Sequence, residues 1–233
     1  MSDRPFSGVF VTGTDTNVGK TVVAAALVAR LRPHQTVRYW KPIQTGIEQD
    51  DDTATVQRLS GCTPGEVYHA GIRLPRPLSP HLAAHLAGAV INLDDLLTLA
   101  LAQPAGECWV VEGAGGVFVP LNDSQMMIDL ISVLGAPVVV TARSGLGTIN
   151  HTLLTLQALR ARALSVAGVV MVGERNAENR AAIERYGDVA VLGELPTLAP
   201  ISAATLRAAS VDWDLTWLGL TRSPAGSPER ATP

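Results

Sequence analysis

Lys20 and Thr21, set directly behind Gly19, carry the plainest chemistry in this chain. They close the stretch Gly13-Thr14-Asp15-Thr16-Asn17-Val18-Gly19-Lys20-Thr21, which follows the apolar run Gly8-Val9-Phe10-Val11-Thr12 and precedes Val22-Val23-Ala24-Ala25-Ala26-Leu27. A strand, a Gly-bounded loop ending in Gly-Lys-Thr and a helix make a phosphate-binding loop. The helix N-terminus then aims free N–H groups and a positive dipole end at an anion. Lys20 adds an ammonium, and the Thr21 hydroxyl can ligate magnesium. The spacing departs from the common pattern: five residues separate Gly13 from Gly19 instead of four, and Thr14 stands where the glycine would be.

Three further groups could share a triphosphate with this loop. Trp109-Val110-Val111-Glu112-Gly113-Ala114-Gly115-Gly116 reads as a buried strand ending in a carboxylate and a small-residue loop. Glu112 would help hold Mg²⁺, which favours oxygen ligands, keeps several waters and shares substrate phosphates. Gly113, Gly115 and Gly116 would let backbone approach the phosphates without a Cβ in the way. In Tyr39-Trp40-Lys41-Pro42-Ile43-Gln44-Thr45-Gly46, Lys41 ends a strand beside a proline that bars simple continuation into a helix. A second ammonium there suits a phosphoryl group in transit, where negative charge must be stabilised. Thr45 offers a hydroxyl to a substrate. The run Asp50-Asp51-Asp52 opens a helical stretch; it can serve a helix dipole, or one of its carboxylates can reach a metal.

A fourth segment, Thr141-Ala142-Arg143-Ser144-Gly145-Leu146-Gly147-Thr148-Ile149-Asn150-His151, breaks a strand into a Gly-rich turn before an apolar helix. The free N–H groups of that helix could hold a carboxylate. Other signals carry less. His81 and His85 lie four apart but lack the Glu of a zinc-enzyme motif. Ser144-Gly145 follows Ala142 and Arg143 and does not form a nucleophile elbow. The glycines at 113–116 come too late in the chain for a dinucleotide fingerprint.

The elements that must position these groups are legible in the apolar runs. Strands are expected at Val9–Thr12, Val37–Lys41, Cys108–Glu112, Pro137–Thr141, Val166–Val172 and Val189–Gly193, with helices following Gly19, Asp52, Ser79, Leu93, Ser124, Gly147, Ala177 and Ile201. Such alternation predicts an α/β fold, a doubly wound and mostly parallel sheet with helices on both faces. Ligands bind such sheets at the carboxyl ends of the strands, and each motif above sits at one. The chain's 233 residues are enough for one large domain, expected over 1–220. The Pro/Ser/Gly-rich segment 221–233 is expected to be a disordered tail.

Composition narrows the function class. Hydrophobic residues make up 47% but aromatics only 4%, so the core must be Val, Leu, Ile and Ala. A net charge of −3 without a basic stripe argues against nucleic acid as a partner. No stretch is apolar over the roughly 18 residues a span requires, and the first residues lack an apolar signal core, so no membrane partner is expected. Cys62 and Cys108 show no metal or redox spacing, which suits buried thiols and a cytoplasmic protein.

Taken in order, Gly-Thr-Asp-Thr-Asn-Val-Gly-Lys-Thr (13–21), Lys-Pro-Ile-Gln-Thr-Gly (41–46), Ser-Pro-His (79–81), Val-Glu-Gly-Ala-Gly-Gly (111–116) and Gly-Thr-Ile-Asn-His (147–151) strongly resemble the dethiobiotin synthetase family of the biotin pathway, over about residues 8–200. The resemblance implies a P-loop NTPase-like ligase that closes a ureido ring. CO2 carbamylates one amine of 7,8-diaminononanoate, and the carbamate attacks the γ-phosphate of ATP. The second amine then captures the carbamic–phosphoric anhydride, leaving dethiobiotin, ADP and phosphate. It also implies Mg²⁺ and a homodimer with the substrate site at the interface.

Carried over residue by residue, the resemblance gives phosphate contacts to Asn17, Val18, Gly19, Lys20, Thr21 and Val22, with Gly113, Ala114 and Gly115 nearby. It makes Thr21, Asp52 and Glu112 the metal-associated groups, and Lys41, with Lys20 and Thr14, the catalytic ones. Thr14 would lie beside the carbamate. Thr45 and Ser79 would contact substrate, and Gly147 and Asn150 would hold its carboxylate across the dimer interface. Pro196-Thr197-Leu198 resembles a base-contacting loop. One departure stands out. Family members often place an adenine-reading Asn where this chain has Val172, followed by Gly173 and Glu174, and Asn176 is offset by several residues. Weak base discrimination is therefore expected, with ATP accepted and CTP as an alternative. Two other classes are less well matched. A partitioning-type regulatory ATPase would often carry an extra Lys near Thr14, and an amidase-coupled synthetase would need a nucleophilic Cys that neither Cys62 nor Cys108 resembles.

Overall fold

The Val-rich runs form strands that are covered on both faces. In the computed structural model, which describes residues 7–104 and 106–218, the elements run β1 (Ser7–Gly13), α1 (Lys20–Leu31), β2 (Val37–Trp40), β3 (Ile43–Thr45), α2 (Asp52–Ser60), β4 (Val67–Tyr68), β5 (Ile72–Leu74), α3 (Pro80–Ala87), α4 (Leu93–Leu101), β6 (Cys108–Gly116), α5 (Met127–Leu134), β7 (Val138–Arg143), α6 (Thr148–Ala161), β8 (Val166–Val172), α7 (Ala177–Gly187), β9 (Val191–Leu195) and α8 (Ala203–Ala209). Seven strands build one parallel sheet in the order β4-β2-β6-β1-β7-β8-β9. The doubly wound α/β reading therefore holds.

Alternation along each strand feeds two separate cores. Phe10, Trp109, Val111, Val138, Val140 and Met171 pack with Leu96, Ile128, Ile131, Leu156 and Ile183 from α4 to α7. Val9, Val11, Val110, Val139 and Val170 pack with Val23, Leu27, Val56 and Leu206 from α1, α2 and α8. Because both faces are buried, the strands read as continuous apolar runs rather than alternating ones.

Adjacency is what matters for the site. β2, β6, β1 and β7 are neighbours, so the segments leaving their carboxyl ends share one edge of the sheet. Those segments carry Lys41, the phosphate loop and the turn at 144–147, and Glu112 stands within β6 between them.

The observed boundaries correct several expectations. β2 stops at Trp40, and Lys41 lies just beyond it. β6 does not end at Glu112 but runs on through Gly116, which pairs with Gly13 across a register shift. The last strand of the sheet spans Val191–Leu195 rather than Val189–Gly193. Helix α5 begins at Met127, because Asn122 first turns the chain by accepting from the N–H groups of Ser124 and Gln125. Strands of two or three residues are too short to show a period, so β3, β4 and β5 were not legible; β3 and β5 pair in a second, two-stranded parallel sheet. The expected tail at 221–233 lies outside the described residues. Among the described residues no helix is long and apolar enough to cross a membrane.

Candidate active site

The phosphate loop is anchored at both ends by backbone. Thr14 donates its N–H to Thr141 O at 2.9 Å, tying the loop to β7. Gly19 caps α1 with φ 97, a left-handed conformation that disfavours a side chain. A Cβ there would also lie 2.9 Å from Val172 Cγ1. No side chain caps α1, so the N–H groups of its first turn stay available to an anion. Lys20 folds back and donates to Asp15 O at 3.0 Å. Burial, and then the charge of Lys41, lowers its ammonium to about 8. A positive group held in that state gains from a nearby anion.

Next to the loop, four side chains from three elements and one strand end converge. The Lys41 ammonium lies 2.6 Å from Asp52 Oδ2 and 2.8 Å from Glu112 Oε1, and it also donates to Gly113 O at 3.3 Å. The Thr21 hydroxyl is 2.9 Å from both Asp52 Oδ1 and Glu112 Oε1; having one proton, it can donate to only one of them at a time. Glu112 is fully buried and Lys41 only 3% exposed. Burial alone would lower the Lys41 pKa, but Glu112 and Asp52 outweigh it and hold the ammonium above its ordinary value. Burial likewise opposes ionisation of Asp52, but Lys41 and Thr21 prevail and hold its carboxyl low. Removing one member of such a buried set would leave its partners uncompensated.

The structure divides the acidic run. Asp51 caps α2, accepting from the N–H groups of Thr53 and Ala54 at 2.8 and 3.2 Å. That leaves the Asp52 carboxylate free to face Thr21 and Lys41. The helix-dipole role and the site role thus fall to different residues.

Thr21, Asp52 and Glu112 present one hydroxyl and two carboxylates, with the hydroxyl within hydrogen-bond reach of both. This is a hard oxygen donor set, and it suits a Mg²⁺ that keeps waters and shares phosphates. It is not an all-protein cage: among the described residues no group of three or more His, Cys, Asp or Glu side chains could hold a metal.

The remaining candidates stand outside this set. Asn17 and Thr16 lie exposed on the loop, Val18 is buried under it, and Val22 is half-buried on α1. The Thr14 hydroxyl is buried and has no hydrogen-bond partner among the described residues. Ala114 and Gly115 continue β6; Gly115 has φ 65, and a Cβ there would lie 2.6 Å from Val119 Cγ2. Thr45 sits half-buried on β3, and Ser79 caps α3, which packs on that small sheet. Gly147 opens α6 with φ 88, and Asn150 is exposed on its first turn. Pro196, Thr197 and Leu198 follow β9, beside the β8 end, where Gly173 donates to Leu195 O at 3.0 Å. Asn176 spends its side-chain oxygen capping α7, accepting from Asn179 N at 2.9 Å.

Two residues escaped the sequence reading. Tyr39 is fully buried and donates its hydroxyl to Glu112 Oε2 at 2.8 Å. Burial, followed by Glu112, pushes this phenol well above its ordinary pKa. The signal was present, since a buried Tyr two residues before Lys41 needs a partner for its O–H. Arg143 reaches Asp15 Oδ2 at 2.9 Å, joining the phosphate loop to the last residue of β7. Nothing in the local pattern marks a pair 128 residues apart.

A family model described as an AAA domain matches residues 7–205. Among curated relatives, the ATP-dependent dethiobiotin synthetase BioD of Paramagnetospirillum magneticum is 49% identical over 85% of this chain and 92% of its own length. The protein of the same name from Nitrobacter hamburgensis is 46% identical over 88% and 92%. The biotin biosynthesis bifunctional protein BioCD of Bordetella avium is 48% identical over 84% of this chain but only 41% of its own length. Solved structures share the fold: the MinC:MinD cell division protein complex of Aquifex aeolicus (TM-score 0.57, 10% identity, 95% of this chain and 98% of that one) and a ParA family ATPase from Chlorobium tepidum (TM-score 0.54, 12% identity, 90% and 98%). At such identities these two speak to architecture alone. The two BioD relatives, each matched over 92% of its own length, speak to kinship: the chain belongs to the AAA-domain family and, within it, to the dethiobiotin synthetases.

Proposed function

We propose that this chain converts 7,8-diaminononanoate, CO2 and ATP to dethiobiotin, ADP and phosphate, acting as a homodimer with Mg²⁺. The observation that carries the reading is the buried Lys41–Asp52–Glu112–Thr21 network beside the phosphate loop. The reaction brings two anions together, a carbamate and the γ-phosphate, and positive charge must offset their repulsion. Lys20, within the loop, and Lys41, beside it, supply it. Mg²⁺, held by Thr21, Asp52 and Glu112, would neutralise charge on the phosphate oxygens when bound.

The steps follow from that layout. An amine of the diamine adds to CO2 and loses a proton, giving a carbamate that faces Thr14. A carbamate oxygen attacks the γ-phosphorus and ADP leaves, while Lys41 and Lys20 stabilise the charge spread over the transferring group. The other amine attacks the resulting carbonyl, the ring closes and phosphate departs. Holding both amines and the phosphate in register replaces two encounters with one bound geometry. Thr45 and Ser79 would contact the diamine chain, and Gly147 and Asn150 its carboxylate, from the neighbouring protomer.

The decisive experiment incubates the protein with the diamine, bicarbonate, Mg²⁺ and ATP. Mass spectrometry is expected to show dethiobiotin, with ADP formed one for one; absence of dethiobiotin rejects the reading. The base of the nucleotide is the finer question. Val172 presents only methyl groups, packed toward Gly19, and Asn176 is committed to capping α7. Neither side chain reads a base, so CTP is expected to serve as well as ATP in kind. A preference for ATP above about 1000-fold in kcat/KM would sink this part alone, because a site that hydrogen-bonds its base rejects analogues by such factors.

A further inference from the structure

Glu112 accepts from three side chains, and they are not shared evenly between its oxygens. Oε1 meets the Lys41 ammonium at 2.8 Å and the Thr21 hydroxyl at 2.9 Å, whereas among the described residues Oε2 accepts from Tyr39 alone, at 2.8 Å. Tyr39 pairs with Val110 between β2 and β6, so Glu112, two residues further along β6, projects from the same sheet face. Both residues are fully buried, so bulk solvent does not reach the Glu112 carboxylate to stand in for the phenol. An ionised carboxylate can only accept, so the Tyr39 hydroxyl must donate. The arrangement fixes the plane of the carboxylate and turns Oε1, not Oε2, toward Thr21 and the phosphate loop.

We infer that Tyr39 is a positioning residue: its hydroxyl anchors the far oxygen of Glu112 and so sets the affinity of the Thr21–Asp52–Glu112 oxygen set for a divalent cation. The inference rests on the proposed cation role of Glu112. Groups that orient a metal-side carboxylate through its other oxygen commonly govern metal affinity by about 10- to 100-fold. Without the phenol, Oε2 loses its one partner and the carboxylate is free to rotate and meet Lys41 with both oxygens. The ammonium would then compete with the cation for the same group.

The test measures binding rather than turnover. Mn²⁺, a paramagnetic probe suited to the same oxygen ligands, is titrated with ADP into wild type and Tyr39→Phe and followed by electron paramagnetic resonance. Tyr39→Phe is expected to raise the Mn²⁺ dissociation constant about tenfold, with metal-free ADP binding unchanged. Trp40→Phe is the control, because it loosens the same strand on its other face without reaching Glu112; it is expected to lower thermal stability and leave Mn²⁺ binding at the wild-type value. Wild-type Mn²⁺ affinity in Tyr39→Phe overturns the inference, as does an equal loss in Trp40→Phe. A wild-type protein whose ADP binding is indifferent to Mn²⁺ overturns the cation role of Glu112, and the inference with it.

Discussion

Two regions at the carboxyl edge of the sheet, the phosphate side and the turn into α6, are built to different degrees. On the phosphate side, Lys41, Glu112 and Tyr39 are buried, and each has a charged or hydrogen-bonded partner supplied by the same chain. On the other side, the turn into α6 carries Leu146 fully exposed, Gly147 in a left-handed conformation and Asn150 open to solvent. Burying charge is costly unless every member is paired, so the phosphate side has to be complete before ligand arrives. A bare leucine beside a free helix N-terminus has no such constraint and is finished by whatever binds there. On the homodimer reading, that is the substrate and a second copy of the chain.

If the contrast is right, the largest loss comes from breaking the prebuilt side. Lys41→Ala is expected to lower turnover by about 100-fold or more while the fold survives, since it removes charge stabilisation from the transferring group. Steady-state rates at saturating ATP and diamine, read beside thermal unfolding, separate the two effects. Wild-type turnover in that variant would refute its catalytic role. An unfolded variant would show instead that Lys41 is chiefly the counter-ion of Asp52 and Glu112.

A smaller and differently shaped effect is expected from the open side. Asn150→Ala should raise KM for the diamine about tenfold, the scale of a hydrogen bond to a charged group, with KM for ATP and kcat near wild type. A joint fall in kcat and in ATP affinity would mean that the halves are not separable, and the contrast would collapse.

The sequence exposed these halves unequally, for physical reasons. The phosphate loop and Lys41 were readable because each follows an apolar strand directly, and Glu112 because it interrupts one, where a buried run makes any charge conspicuous. The choice of Asp52 within Asp50-Asp51-Asp52 came from family resemblance; only the fold shows that Asp51 is consumed as a helix cap. Tyr39 was passed over because its apolar ring fits a buried strand whether or not its hydroxyl works. The small sheet of β3 and β5 left no periodic trace, since three residues hold barely more than one alternation. The Asp15–Arg143 pair joins segments that only the neighbouring of β1 and β7 brings together.

That pair is also the one ion pair among the described residues by which a side chain of the phosphate loop reaches the end of β7, just before the turn into α6, and it yields the smallest expected effect. Asp15 and Arg143 are 52% and 43% exposed. Solvent and salt screen such a pair, and exposed pairs rarely contribute more than about 1 kcal/mol. Arg143→Gln is therefore expected to weaken ATP binding by no more than about fivefold, the factor that energy corresponds to. The difference from wild type should shrink further as salt is raised, because the Debye length falls to about 3 Å at 1 M. Calorimetric titration with a non-hydrolysable ATP analogue at low and high salt reads both. A loss approaching that of Lys41→Ala, insensitive to salt, would mean that Arg143 touches the phosphates directly. The end of β7, where the turn into α6 begins, would then belong to the prebuilt side rather than to the open one.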